Sequence, residues 1–321
     1  MKTLLRIAVA VPALLMAALA ALPACAADTL KIAVGQINNW ENQMPTLGQE
    51  AGIFKKHGIV LENFGTQGAG ETLQAVISGS ADIGIGVGTP GAMRAFAKGA
   101  PVRVLSAAFV GTGDLFWYVP ANSPIKTLAD ATDATTIAYS TSGSTSNNIV
   151  LVFAKELGVK GKPTATGGPP PTYTQVMSGQ VDIGWSAPPF GLQEIQEGKI
   201  RVVARGSDAP STRNQTVRVQ IVNANALKDK KDAILRFMQA YRETIDWMYA
   251  SPDAVKLYAQ KIGKPESLIE LSRSQFHPKA ALDPDRLSDI DGVMADAVAL
   301  KFLEAPLTKE QLAELFQIPP K

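Results

Sequence analysis

Two stretches of the chain read almost alike, Val76-Ile77-Ser78-Gly79-Ser80-Ala81-Asp82-Ile83-Gly84 and Val176-Met177-Ser178-Gly179-Gln180-Val181-Asp182-Ile183-Gly184, at a constant offset of 100 residues. The echo extends outward. Phe54…Gly58-Ile59 is answered by Phe153…Gly158-Val159, and Val102-Arg103-Val104-Leu105 by Ile200-Arg201-Val202-Val203. Self-similarity at an offset that stays within 98–100 residues marks a supersecondary unit used twice. Each copy reads as a helix ending at Ser-Gly, a tight turn through the Asp, a short apolar strand and a new helix. The chain is therefore expected to form two equivalent lobes whose equivalent loops face each other across a cleft, the place where ligands lodge between domains.

The first 26 residues read as a secretory signal: Lys2 and Arg6, an apolar run from Ile7 to Leu22, and Ala24-Cys25-Ala26 as a small-x-small cleavage site. The run is short and interrupted by Pro12, so it is not expected to persist as a transmembrane anchor. Leu22-Pro23-Ala24-Cys25 also resembles a bacterial lipobox, which would leave Cys25 lipidated, although Pro23 fits that pattern badly. Cleavage after Ala26 removes the single Cys, so an exported product has no disulfide and its stability rests on its core. It also removes two of the 31 basic residues and none of the 29 acidic ones, which leaves 29 of each. With no net charge and no basic run interleaved with aromatics, the chain lacks the electrostatic footprint of a nucleic-acid partner.

Leu30–Val34, Ile59–Phe64, Ala81–Ile85 and Val102–Phe109 read as strands, separated by helices over Pro45–His57, Glu71–Ser78 and Gly91–Lys98. Thr136–Tyr139, Lys162–Ala165, Val181–Trp185 and Ile200–Ala204 repeat the alternation with helices over Ser146–Leu157, Tyr173–Ser178 and Phe190–Glu197. The expected fold class is α/β: two doubly wound parallel-sheet lobes joined by two hinge-crossing strands, Leu115–Val119 and Thr216–Val222, with a helical C-terminal tail. The corresponding division is a signal over 1–26, the first part of lobe 1 over 27–114, lobe 2 with the hinge strands over 115–217, and a return to lobe 1 with the tail helices over 218–321. In the tail, Ile234, Phe237, Met238, Tyr241, Ile245 and Met248 recur at helical spacing and read as core.

Gly86-Val87-Gly88-Thr89-Pro90-Gly91 matches the dinucleotide fingerprint G-x-G-x-x-G, but Ser106–Thr112, at the end of the next strand, holds no acid for a ribose. It is read instead as a Gly-rich strand-to-helix loop at the cleft. Ser140-Thr141-Ser142-Gly143-Ser144-Thr145-Ser146 opens a helix, and helix N-termini hold unpaired N–H groups and positive potential for an anionic head group. One hydroxyl suffices for a cap, so six in seven positions point to a ligand as well. Trp185 in Trp185-Ser186-Ala187-Pro188-Pro189-Phe190, and Trp40 after the first strand, read equally well as apolar cleft walls or as core. With His57 and His277 as the only histidines, and His57 suited to a helix C-terminus, Cys/His nucleophiles and Cys or His metal clusters are unavailable, and no cofactor is expected.

Glu50-Ala51-Gly52-Ile53-Phe54-Lys55-Lys56-His57-Gly58-Ile59, the paired Ser-Gly-x-x-Asp-Ile-Gly segments, and Asn122-Ser123-Pro124-Ile125-Lys126-Thr127-Leu128-Ala129-Asp130 before the Ser/Thr-rich helix start occur in an order that resembles the nitrate/sulfonate/taurine-binding family of periplasmic solute-binding proteins. The likeness runs from about Leu30 to Leu227. It implies a small organic anion held between the lobes by Gln36, Asn38, Asn39 and Trp40, by Gly68, Ala69 and Gly70, by Gly88 and Thr89, by Ser142, Gly143, Ser144 and Thr145, and by Trp185, Ser186 and Pro188. It also implies an ABC permease as partner and the membrane only through that permease. Amine-bearing sulfonate binders of the family tend to place an acid just before the loop proline, where this chain has Pro188 before Pro189. A second reading, from another class, is an enzyme on the same bilobal fold acting on a small pyrimidine or carboxylate.

Overall fold

The computed structural model describes residues 27–321, so the signal and lipidation readings lie outside the described residues. Lobe 1 begins with four strands, β1 (Asp28–Gly35), β2 (Ile59–Thr66), β3 (Ile83–Gly88) and β4 (Val102–Val110), interleaved with helices α1 (Met44–Glu50), α2 (Ile53–Lys56), α3 (Ala69–Ile77) and α4 (Thr89–Ala97). The single helix expected over Pro45–His57 is two, because Gly52 adopts the left-handed conformation at φ +76°. Lobe 2 holds β5 (Phe116–Pro120), β6 (Thr136–Tyr139), β7 (Lys162–Ala165), β8 (Gly184–Ser186) and β9 (Ile200–Arg205), with α5 (Thr145–Leu157), α6 (Pro169–Met177) and α7 (Leu192–Gln196). The chain then returns through β10 (Thr216–Asn223) to a tail of α8 (Ala224–Asp229), α9 (Lys231–Ala250), α10 (Pro252–Ile262), α11 (Glu266–Phe276), α12 (Ile290–Ala299) and α13 (Lys309–Leu315).

The lobe 1 sheet runs β2-β1-β3-β10-β4. In lobe 2 the pairs β6-β7 and β8-β5-β9 are joined by a bridge between Ile137 and Ile183, which gives the same order, β7-β6-β8-β5-β9. The sheets are not wholly parallel: β10 is antiparallel to β3 and β4, and β5 is antiparallel to β8 and β9. The reason is topological. A strand arriving from the other lobe enters at the edge where the resident strands end, so it must run against them. The crossing itself is made by the segments just before β5 and β10, bound together by Gly111 N–H donating to Gln215 O at 2.9 Å, Gly206 N–H donating to Leu115 O at 2.8 Å, and the Thr112 and Thr212 hydroxyls at 2.9 Å.

The 100-residue echo is structural in detail. Asp82 accepts from Lys31 N–H near the start of β1, and Asp182 accepts from Thr136 N–H at the start of β6. Thr66 and Thr72 share a hydroxyl bond of 2.7 Å, and so do Thr166 and Thr172. The Asp turns thus tie the strand starts together at the edge away from the cleft; the loops that follow β3 and β8 are the ones that reach it. Three apolar clusters hold the molecule: one joins a face of the lobe 1 sheet to α1, α2, α9 and α10, a second joins its other face to α12 and α13, and the third fills lobe 2. Every residue of β10 is buried. The tail aromatics Phe237 and Tyr241 lie in the first cluster, as their spacing implied. His57 caps α2 at its C-terminus, with Nε2 2.8 Å from Glu243 Oε2.

Candidate functional site

The strand ends of the two lobes meet at backbone distance. Gly70 N–H at the start of α3 donates to Thr141 Oγ1 at 2.9 Å, and Thr145 Oγ1 donates to Val217 O at 3.2 Å. A Cβ on either Gly88 or Gly91 would sit 2.6 Å from Gly143 O, and Gly143 itself has φ +81°. The expected Gly-rich loop is a direct junction, Gly88 ending β3 and Gly91 lying in the first turn of α4, and both are glycine because the opposite lobe's backbone presses on them. Between the lobes remains a space of about 30 Å³, room for little more than a water molecule, so an organic ligand requires the lobes to part.

Lobe 1 and the returning strand supply a charged floor. Arg218 on β10 places Nη1 3.1 Å from Glu41 Oε1 and Nη2 2.7 Å from Asp114 Oδ1, with its guanidinium 4.5 Å from the Phe109 ring centroid. All three ionic residues are buried, and a fourth, His277, lies with Nε2 3.3 Å from Glu41 Oε2. Burial alone would raise the Glu41 carboxyl, but the neighbouring His277 ring and the Arg218 charge outweigh it and hold the group at about 2. Burial wins at Asp114, which is pushed above the usual carboxylate range despite Arg218. The guanidinium stays charged against its burial because two carboxylates flank it. Arg218 Nε and the Asn39 and Asn42 carbonyl oxygens, all on residues lining the space, are buried without protein partners. Glu41, Asp114 and His277 are close enough to invite a metal reading, but the Arg218 guanidinium already pairs with both carboxylates.

Lobe 2 supplies an uncharged wall of Ser140, Ser144, Thr145, Ser146 and Trp185. Ser144 caps α5 by accepting from Asn147 N–H at 3.1 Å. Ser146 Oγ accepts from Ser140 N–H at 3.0 Å and lies 3.1 Å from both the Ser140 and Ser144 hydroxyls. The excess of hydroxyls thus has a structural employment: a cap, a loop brace and two cross-lobe bonds. What the helix start still offers a ligand is its first backbone N–H groups, which have no carbonyl partner within the helix.

The remaining sequence-selected residues fall in three groups. Gln36, Asn39 and Ala69 line the space, with Asn39 Nδ2 donating to Gln36 Oε1 at 2.8 Å. Gly68, Gly70, Gly88 and Gly143 form its close-contact rim, where a Cβ on Gly68 would meet Thr141 Oγ1 at 2.7 Å. The others point elsewhere. Trp40 is buried in the lobe 1 core, its indole N–H donating to the Tyr249 hydroxyl at 3.1 Å and its rings edge-on to Tyr249 and Tyr258. Asn38 is exposed and its carbonyl accepts from Tyr258; Thr89 is buried and donates to Thr216 O at 2.6 Å; Ser142 is exposed; Ser186 donates to Phe190 O at 3.0 Å. Pro188 is buried outside the cleft, in a cis bond with Pro189. Trp185 is on the wall and 1 % exposed, its N–H donating to Gly167 O at 3.2 Å. Glu41, Asn42, Asp114, Arg218 and His277 were not among the sequence candidates. One signal could have found Arg218: a lone charge inside the apolar strand Val217-Arg218-Val219-Gln220-Ile221.

Among solved structures, the alkanesulfonate-binding protein SsuA of Xanthomonas axonopodis pv. citri, bound to MOPS, superposes with a TM-score of 0.71 at 18% identity, covering 86% of this chain and 94% of that one. The periplasmic aliphatic sulphonate binding protein SsuA of Escherichia coli gives 0.63 at 19% identity, covering 91% and 93%. The desulfurization enzyme DSZB gives 0.62 at 17%, covering 91% and 96%. At these identities the likeness speaks for the fold, a periplasmic-binding-protein fold. Comparison with curated proteins gives no match. The family model described as NMT1/THI5 like matches residues 44–255, well over half of the chain, and the chain belongs to that family.

Proposed function

We propose that the protein is an exported solute-binding protein that closes its two lobes on a small organic anion, sulfonate-like in character, and delivers it to an ABC permease. In this reading the residues of 27–114 and those from Thr216 onward move as one lobe and the residues between them as the other, Thr216 and Val217 belonging with lobe 1 because β10 is built into its sheet. The observation that carries it is the pair of cross-lobe bonds, Gly70 to Thr141 and Thr145 to Val217, which exist only with the lobes shut. A ligand touched from both sides then stabilises the closed state by its differential contacts. The anionic group sits at the start of α5, because Arg218 is already neutralised by Glu41 and Asp114. The body of the ligand lies between Trp185 and the floor.

Thermal-shift and calorimetric screening against alkanesulfonates, carboxylates, nitrate and pyrimidines tests this, since a ligand bound by the folded state alone raises its melting temperature. Stabilisation by an organic anion, with no product after incubation, is the expected result. The enzyme reading is favoured by one observation, the His277–Glu41 pair behind the floor. Chemical conversion of a bound pyrimidine or carboxylate would replace the binder with that reading.

A further inference from the structure

A second cavity, of about 310 Å³, lies on lobe 2 between the middle of β5, α6 and the loop leading into α7, and it shares no lining residue with the cleft. Its wall is aromatic and prolyl, with Tyr118, Tyr173, Phe190 and Pro169. Tyr118 is 1 % exposed, and its hydroxyl has no hydrogen-bond partner among the described residues. Glycines set the ring positions around it: a Cβ on Gly184 would sit 2.6 Å from Tyr118 Cζ, and one on Gly191 2.7 Å from Phe116 Cζ. Two opposite charges line the same space, Glu194 from α7 and Lys264 from the turn after α10. Among the described residues they form no ion pair with each other or with any other group; Lys264 Nζ donates to Gln193 Oε1 at 3.0 Å.

A carboxylate and an ammonium, separate from each other on one aromatic cavity, complement a molecule that carries both charges and an apolar body. The volume lies in the range of small-molecule sites. We infer that this cavity is a second binding site, for a small zwitterion with an apolar side chain, of the α-amino acid class. The ammonium meets Glu194, the carboxylate meets Lys264, and the side chain lies against Phe190, Tyr173 and Pro169, with the Tyr118 hydroxyl as a further donor. Lys264 belongs to the tail, whose α9 and α10 pack into the lobe 1 core, whereas the other walls belong to lobe 2. An occupant therefore ties one lobe to the other and favours the closed arrangement.

Isothermal titration of the purified protein with L-phenylalanine, phenylacetate and phenethylamine tests the site. Phenylalanine binds with one-to-one stoichiometry, and each analogue, lacking one charge, binds about tenfold or more weakly, as does phenylalanine to Lys264→Met and to Glu194→Gln. Both positions are partly exposed, and an unchanged melting temperature shows that the variants fold. Absence of phenylalanine binding to the wild type overturns the inference. So does binding that survives both substitutions, which would place the molecule elsewhere.

Discussion

The two lobes share strand order, helix positions, Asp turns and even the Thr–Thr hydroxyl bond at the starts of the equivalent helices α3 and α6, yet they meet the cleft with opposite chemistry. Lobe 1 presents buried charge and amide groups, Glu41, Asn39, Asn42 and Arg218; lobe 2 presents hydroxyls, a helix start and an indole. The equivalent helices α3 and α6 make the contrast sharp. The first begins Ala69-Gly70-Glu71 and gives its Gly70 N–H to the other lobe, whereas the second begins Pro169-Pro170-Pro171 and has no N–H to give. Duplication preserved what closes the backbone at the far edge of each sheet and left free what faces the ligand. The scaffold is repeated; the recognition is not.

This contrast is open to attack at the floor first. Arg218→Met leaves Glu41 and Asp114 buried beside each other without a counter-charge, and is expected to lower stability by about 3–5 kcal/mol in urea unfolding. A loss as small as that of a surface substitution would mean that water reaches the network. Acid reaches the same network through Glu41. Its folded value of about 2 lies below the unfolded 4.5, so its contribution is complete above pH 4.5 and is lost as the pH falls towards 2. Urea midpoints measured across that interval should drop more steeply for the wild type than for Glu41→Gln.

On the wall, Trp185→Ala is expected to lose about 3 kcal/mol of stability, the low end for a buried aromatic because one side of the ring borders the cleft, together with ligand affinity. A destabilised variant that binds normally would move the indole out of the recognition surface. Gly91→Ala acts on the contact between the lobes alone. Its Cβ meets Gly143 O, so affinity should fall by about 1–2 kcal/mol while urea stability stays within ~0.5 kcal/mol, and undiminished affinity would mean that tighter closure is not needed. The smallest effect belongs to Ser144→Ala, about 1 kcal/mol in stability from the lost α5 cap; Thr145→Ala should weaken binding without it, because its bond to Val217 forms across the lobes. Equal effects of the two on unfolding would erase that distinction.

The lobes were legible in the sequence because local pattern and global repeat agree: apolar runs of strand length, Ser-Gly stops, and an Asp before each third strand. The antiparallel β5 and β10 were not read as such, since direction within a sheet follows from where a strand enters it rather than from its composition. Trp40 and Trp185 looked alike as sequence; their fates are decided by Tyr249 and Tyr258 in one case and Gly167 in the other. The charged floor was the least legible part. Glu41, Asp114, Arg218 and His277 come from four separate segments, and only the crossing of the chain between lobes brings them together. The hydroxyl-rich segment was legible as a helix start, but the number of hydroxyls was assigned to the ligand when most of them serve the loop and the opposite lobe.

The exchange of β5 and β10 gives the molecule the character of a covalently tethered, strand-swapped pair. Each sheet holds, between two of its own strands, a strand whose nearest upstream neighbour in the chain belongs to the other sheet. A cut in the exposed loop between Pro120 and Thr136 would therefore not release two halves. The N-terminal fragment would carry β5, locked between β8 and β9, and the C-terminal fragment would carry β10, locked between β3 and β4. Such fragments are interlaced like clasped hands, and the integrity of the pair would survive the loss of chain continuity.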